Sequence, residues 1–294
     1  MTQHVYVEIG ESPQALVHRY GGAVDVNDRN FGLNFYTMDW PTDNPITVVI
    51  RNGNSNLQID AVLMINGAFD RGHPDEGISS YSVSSELVSQ PTVRHDQARL
   101  KFYEMLSRIQ KAGWKWLIHD FEPRLRGEDA LRYQLETSAG TASLDPNLEL
   151  SLQDWMRLEN RSPWKFYKDG VYMDVCLSRD SKRMKVDEPG AYFVSIALES
   201  YQSFWRTTFK EPDRARWRDL LPAVRERQRA TRAEAEQKLQ AEGYHIDTSY
   251  RNPDEAFDPD AKPAPDPVGS DQPQSPAPQP PSSKERFGRW IRGG

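Results

Sequence analysis

Cysteine is nearly absent from this chain of 294 residues, and its one example, Cys176, rules out an internal disulfide while leaving the redox compartment open. It stands in an apolar alternation and reads as a small buried strand residue, not a reactive thiol. Long apolar runs are lacking as well. Those present, such as residues 61–65, fall far short of the roughly 20 residues a hydrocarbon core requires, so no transmembrane segment is predicted. Residues 1–9 show no basic start, apolar stretch or small-residue cleavage site. The expected location is therefore the cytoplasm if Met1 is the native start, and the periplasm or cell envelope if a leader has been removed. Positive charge is also in deficit: a formal net charge of −6 repels nucleic acid and anionic membrane over most of the surface. Nucleic acid is not an expected partner, and any membrane contact is peripheral and local.

Motifs of catalysis are missing too. Neither G-x-S-x-G nor G-x-x-x-x-G-K-[ST] occurs. His4, His18, His73, His95, His119 and His245 are scattered without an H-x-x-x-H pair, so neither a metal nor a cofactor is expected. The best residual cluster is His119-Asp120-Phe121-Glu122, where a histidine beside carboxylates has the makings of a general base with a raised pKa. Successive strand residues point to opposite faces, which lets His119 meet only one of the two acids. Asp120 then reads as the start of a turn before Pro123, Asp169 as a hairpin-turn residue and Asp96 as a helix cap. A hydrolase using His119 stays as an alternative.

What is present is a globular pattern, with 37% hydrophobic against 27% charged residues. Ser12 caps and Pro13 opens a helix over 12–20, ended by Gly21-Gly22. Strands are predicted over 35–40, 46–51 and 57–65, with Asn52-Gly53 turning between the last two. Residues 68–91 are rich in Gly, Ser and Asp and read as a connector carrying one short strand around Ile78, Tyr81 and Val83. Ala98, Phe102, Met105, Leu106 and Ile109 then recur at helical spacing up to Gly113. Short helices follow over 127–135 and 151–158, the latter with Ser151 as cap, then a hairpin over 164–177 and a strand over 190–198. The fold class is α+β: two helix-plus-antiparallel-meander domains at 1–67 and 95–209 joined by a connector at 68–94.

A charged helical region occupies 210–249, its helix running over 220–242 with Pro222 in the first turn. Its apolar stripe is thin, so it is expected to project into solvent. Arginines from Arg214 to Arg232 cluster there, although Asp219, Glu226 and Glu234 interleave and suggest a self-neutralised, solvated face. A nucleic-acid or phospholipid-headgroup binder acting through this helix is a further alternative. Beyond residue 250 prolines, Asp, Ser and Gln dominate, and 250–294 is expected to be disordered. The 8 Trp are the more unusual feature. Trp155, Trp205 and Trp217 lie beside arginines in sequence; together with Arg225, Arg229 and Arg232 they are the candidate partner-binding residues.

Gly10, Ser12, Leu16, Tyr20 and Gly21, followed by aromatic strands, resemble the SmpA/OmlA (BamE-like) fold of bacterial envelope lipoproteins over roughly residues 5–66. The resemblance implies helices on a three-stranded antiparallel sheet and a role in binding proteins. Ala23 stands where a proline commonly follows the glycine. Ala112-Gly113-Trp114, Pro123-Arg124-Leu125, Trp164-Lys165-Phe166-Tyr167 and Lys168-Asp169-Gly170-Val171-Tyr172 look like uncharacterised proteobacterial envelope proteins of type VI secretion clusters, a likeness spanning 95–245. This second resemblance implies an immunity or accessory protein that occludes a cognate secreted toxin, such as a lipase. An envelope-assembly scaffold is its alternative. No family site residue transfers.

Overall fold

The computed structural model describes residues 4–28, 32–137 and 142–259. It is a mixed α+β protein built on one large sheet. In chain order the elements are β1 (His4–Glu8), α1 (Pro13–Tyr20), β2 (Asp25–Asp28), β3 (Leu33–Asp39), β4 (Ile46–Asn52), β5 (Ser55–Asp70), β6 (Ile78–Glu86), β7 (Val93–Arg94) and α2 (His95–Lys111). Then come β8 (Lys115–Trp116), α3 (Gly127–Glu136), α4 (Leu152–Arg157), β9 (Pro163–Lys168), β10 (Val171–Arg179), β11 (Pro189–Gly190), β12 (Tyr192–Ser200), α5 (Tyr201–Thr208) and α6 (Trp217–Ala241). Ten strands form the main sheet in the order β1-β4-β5-β6-β12-β10-β9-β8, with the β2–β3 ribbon joined to β5. Among the described residues only β1 and β4 pair in parallel; the other ladders are antiparallel.

β5 is 16 residues long and serves two neighbours on one edge, β4 along its first half and β3 along its second. The hand-over falls at Leu63, between the Val62 pairing with β4 and the Met64 pairing with β3, just after an irregularity at Ala61, whose φ is 54°. On its other edge β5 pairs with β6, and β6 pairs in turn with β12. The segment expected as a connector therefore holds a central strand, and both helix-plus-meander units hang on one continuous hydrogen-bonded sheet. The cause lies in its alternation: Ile78, Tyr81 and Val83 point to the core, with at most 2% exposure, while serines occupy the opposite positions.

One face of the sheet carries the main core. Leu16 of α1, Phe102, Leu106 and Ile109 of α2 and Trp155 of α4 pack with Val48, Ile65, Val83, Val175 and Ile196 in one cluster. As expected, Ser12 caps α1 by accepting from the Ala15 N–H, and Ser151 caps α4 by accepting from the Asp154 N–H. Asp96 does not cap α2. The helix starts one residue before it, and its carboxylate pairs with Arg99 in the first turn instead.

On the opposite face, a layer of α5 and α6 packs on the β8–β10 end through Tyr167, Tyr172, Tyr201, Trp205, Trp217 and Leu221, and α5 reaches beyond it, Ser203 bonding Glu199 of β12 and Arg206 pairing with Asp70 and Glu76. The last helix does not project. Trp217, Leu221, Arg225, Arg232, Glu236 and Leu239 form its buried stripe, and the charges within that stripe find partners elsewhere in the chain. Nor does order stop at residue 250. Residues 250–259 fold back over this layer, with Asn252 and Asp254 buried and Phe257 packed beside Tyr201. The rest of the expected disordered tail, 260–294, lies outside the described residues. No helix among those described is long and apolar enough to cross a membrane.

Candidate functional site

After β8 the chain leaves the sheet at Leu117, whose N–H donates to the Lys165 carbonyl, and turns at once, the Glu122 N–H donating to the His119 carbonyl. This turn puts the residues of the His119–Glu122 cluster in three different environments. The Asp120 side chain, 1% exposed, accepts from Arg225 Nε at 2.6 Å, Arg229 Nε at 3.3 Å, Arg232 at 3.0 Å and Asn252 Nδ2 at 2.9 Å. It is thus the anchor of α6 rather than a simple turn residue. Glu122 forms a buried ion pair with Lys165 and accepts from the His119 N–H at 3.0 Å. Burial raises its pKa, with Lys165 opposing. Asp174, across the ladder from Lys165, is raised for the same reason. Arg225 also reaches Asp254 at 2.9 Å, and Asp254 accepts from the Tyr172 hydroxyl at 2.7 Å.

His119 lies flat between two rings, stacked on Phe121 with centroids 5.4 Å apart and on Phe204 with centroids 5.3 Å apart. Desolvation, helped by the charges of Lys165 and Arg225, pulls its pKa down to about 3. A general base works best with a pKa near the operating pH. The imidazole is therefore neutral at pH 7 and a weak proton acceptor, and Glu122 is committed to Lys165.

The six residues singled out from sequence distribute unevenly. Trp155, Trp205 and Trp217 are 0%, 4% and 3% exposed, and the first two donate through Nε1 to the hydroxyls of Tyr192 and Tyr172. These tryptophans face other residues of the chain, not solvent. Arg225 and Arg232 are buried against Asp120, whereas the Arg229 side chain keeps 40% exposure while bonding Asp120 and Glu255. The interleaved acids do not neutralise these arginines; partners more than twenty residues away do.

An open sheet surface is one the sequence reading did not single out. Beyond the α5–α6 layer, the outward positions of β3, β5, β6, β12 and β10 run in cross-strand rows. One row passes from Thr37 through Asn66, Ser82 and Ala197 to Asp174, and the next from Asp39 through Met64, Ser84 and Ser195 to Cys176. Every one of these positions is exposed or half-buried. Thr37 donates to Asn66 Oδ1 at 3.0 Å along its row. Large apolar groups break this small, polar floor at Met64, 38% exposed, and Phe193, 46% exposed. Asp39 and Glu86 add acidic groups to it. The signal in the sequence was the period-two placement of Ser80, Ser82 and Ser84 against apolar partners. Compared with known proteins, the chain matches no family model, no curated protein and no solved structure.

Proposed function

We propose that this chain is a non-enzymatic binding protein that occludes or scaffolds a protein partner, with the open sheet face as its contact surface. The observation that carries this reading is the pair Met64 and Phe193, exposed on neighbouring rows of a face floored by Ser82, Ser84, Ser195 and Ala197. Strand spacing puts them about 12 Å apart, within one contact patch. Small side chains between two apolar anchors let a partner approach the backbone closely, and isolated exposed apolar residues would not form such a patch. The acids around it call for a partner whose contact surface is basic as well as apolar. Following the resemblance of 95–245, the partner in this reading is a secreted toxin, a lipase first, and the setting is the bacterial envelope. An assembly scaffold in the same compartment is the alternative.

The test is binding of the purified chain to the secreted protein encoded beside its gene. Met64→Asp with Phe193→Asp should weaken that binding by at least about tenfold while leaving the fold intact. Unchanged affinity in the double variant sinks the sheet-face assignment. A chain that binds no neighbouring gene product but hydrolyses a lipid, ester or nucleotide, and loses that activity on His119→Ala, would overturn the whole reading.

A further inference from the structure

A cavity of about 370 Å³ opens between α6, the loop at Arg124 and the segment 248–255 that folds back after the helix. Four guanidiniums line it, those of Arg124, Arg229, Arg232 and Arg251, against two carboxylates, Glu236 and Glu255. The arginines are held in place by bonds that use only part of their capacity. Arg124 clamps Glu236 through Nε and one terminal nitrogen at 2.9 and 2.7 Å. Arg251 donates through a single nitrogen to the carbonyls of Thr248 and Tyr250. Arg229 gives one bond each to Asp120 and Glu255. Arg232, only 7% exposed, gives one bond, to Asp120.

A guanidinium carries five N–H donors, so each of the four retains some without a protein acceptor. No nitrogen of Arg232 is both sealed and unpartnered. Those that Asp120 does not engage therefore keep some access to solvent, and Arg232 is among the residues lining the cavity. Burial together with the charges of Arg124 and Arg229 pushes the Arg232 pKa down, although Asp120 and Glu236 oppose this. Burial is the main cause, so an anion brought into the cavity would offset part of the cost of holding this guanidinium charged.

From this arrangement we infer that the cavity is a binding site for the phosphate group of a phosphate monoester. With Asp120, which bonds Arg229 and Arg232 from behind the lining, four arginines stand against three carboxylates, an excess of one positive charge that favours an added anion. Guanidinium forks set around a cavity suit the several oxygens of a tetrahedral anion, each able to take charge-assisted hydrogen bonds. A soluble phosphorylated metabolite and the headgroup of phosphatidic acid share this chemistry. The site is separate from the sheet face and does not depend on the function proposed for it.

The experiment is calorimetric titration of the intact protein with inorganic phosphate and with glycerol 3-phosphate, alongside flotation with phosphatidylcholine vesicles doped with phosphatidic acid. Saturable phosphate binding with a Kd on the order of 1 mM or tighter is expected. It should strengthen from pH 5.5 to 7.5 as the second proton, of pKa near 6, leaves the ligand. Arg232→Gln should abolish it. Because that change also removes a partner of Asp120, Arg251→Gln, which leaves the buried network untouched, is the decisive variant and should weaken binding about tenfold. Glycerol 3-phosphate binding without flotation assigns a soluble monoester, and flotation that glycerol 3-phosphate competes away assigns the lipid headgroup. No saturable binding below about 10 mM, no effect of Arg251→Gln, or equal flotation with phosphatidylglycerol vesicles overturns the site.

Discussion

Asp120 accepts a 2.6 Å hydrogen bond from Arg225 Nε across 105 residues of chain, and the same carboxylate takes bonds from Arg229, Arg232 and Asn252. One buried acid thereby fixes the last helix to the turn that follows β8. Replacing it with Asn keeps the shape but strips compensation from two buried guanidiniums. Removing one partner of a buried ion pair typically costs about 3–5 kcal/mol. Asp120→Asn should therefore lower the urea midpoint sharply with little change in the slope of the transition. A loss below about 1 kcal/mol would mean that the network does not secure the helix.

The stacked His119 makes stability sensitive to acid. Its pKa in the folded chain is about 3 against the ordinary histidine value of 6.5, so below pH 6.5 the unfolded chain takes up a proton that the folded chain refuses. Stability from this group is complete above pH 6.5 and is lost as pH falls toward 3, at up to about 1.4 kcal/mol per pH unit. His119→Phe preserves the ring stack and removes the titration. Urea unfolding at pH 4.5 and 7.5 should show a smaller difference between the two conditions in the variant than in the parent chain. An equal difference would place the acid sensitivity elsewhere.

Trp155 and Phe193 should respond in opposite ways to truncation. Trp155 has no exposed surface and touches Phe102 and Tyr192 with ring centroids 5.6 and 5.9 Å away, so Trp155→Ala should cost about 3–5 kcal/mol. Phe193 is 46% exposed on the open face, and Phe193→Ser should change stability by no more than about 0.5 kcal/mol. Thermal denaturation of the two variants settles the matter. A mild effect at Trp155 would restore it as a contact residue.

Elements governed by local pattern were legible in the sequence. The caps at Ser12 and Ser151, the Asn52-Gly53 turn, the helical spacing in α2 and the β9–β10 hairpin all appear near their expected positions. What escaped were features decided by distant partners. β6 looked like a weak strand in a connector because nothing local announces that both of its edges are paired. The α6 stripe looked thin because its arginines and glutamate count as polar, and only Asp120, Asp254 and Arg124, far off in sequence, let them be buried. The tail reading failed over 250–259 for a similar reason: Asp254 is disorder-prone by composition but is held by Arg225 and Tyr172. Of the candidate site, His119 and Asp120 were visible as a cluster, yet their separate fates depended on Phe204 and α6.

Seven residue pairs join β6 to β12 in the middle of the sheet, and this ladder bears on how the molecule comes into being. During synthesis the N-terminal strands emerge with one flank of β6 unsatisfied, and more than a hundred further residues must follow before β12 arrives to cover it. A nascent chain stalled in that interval presents a bare strand edge, the state in which chaperone capture competes with self-association.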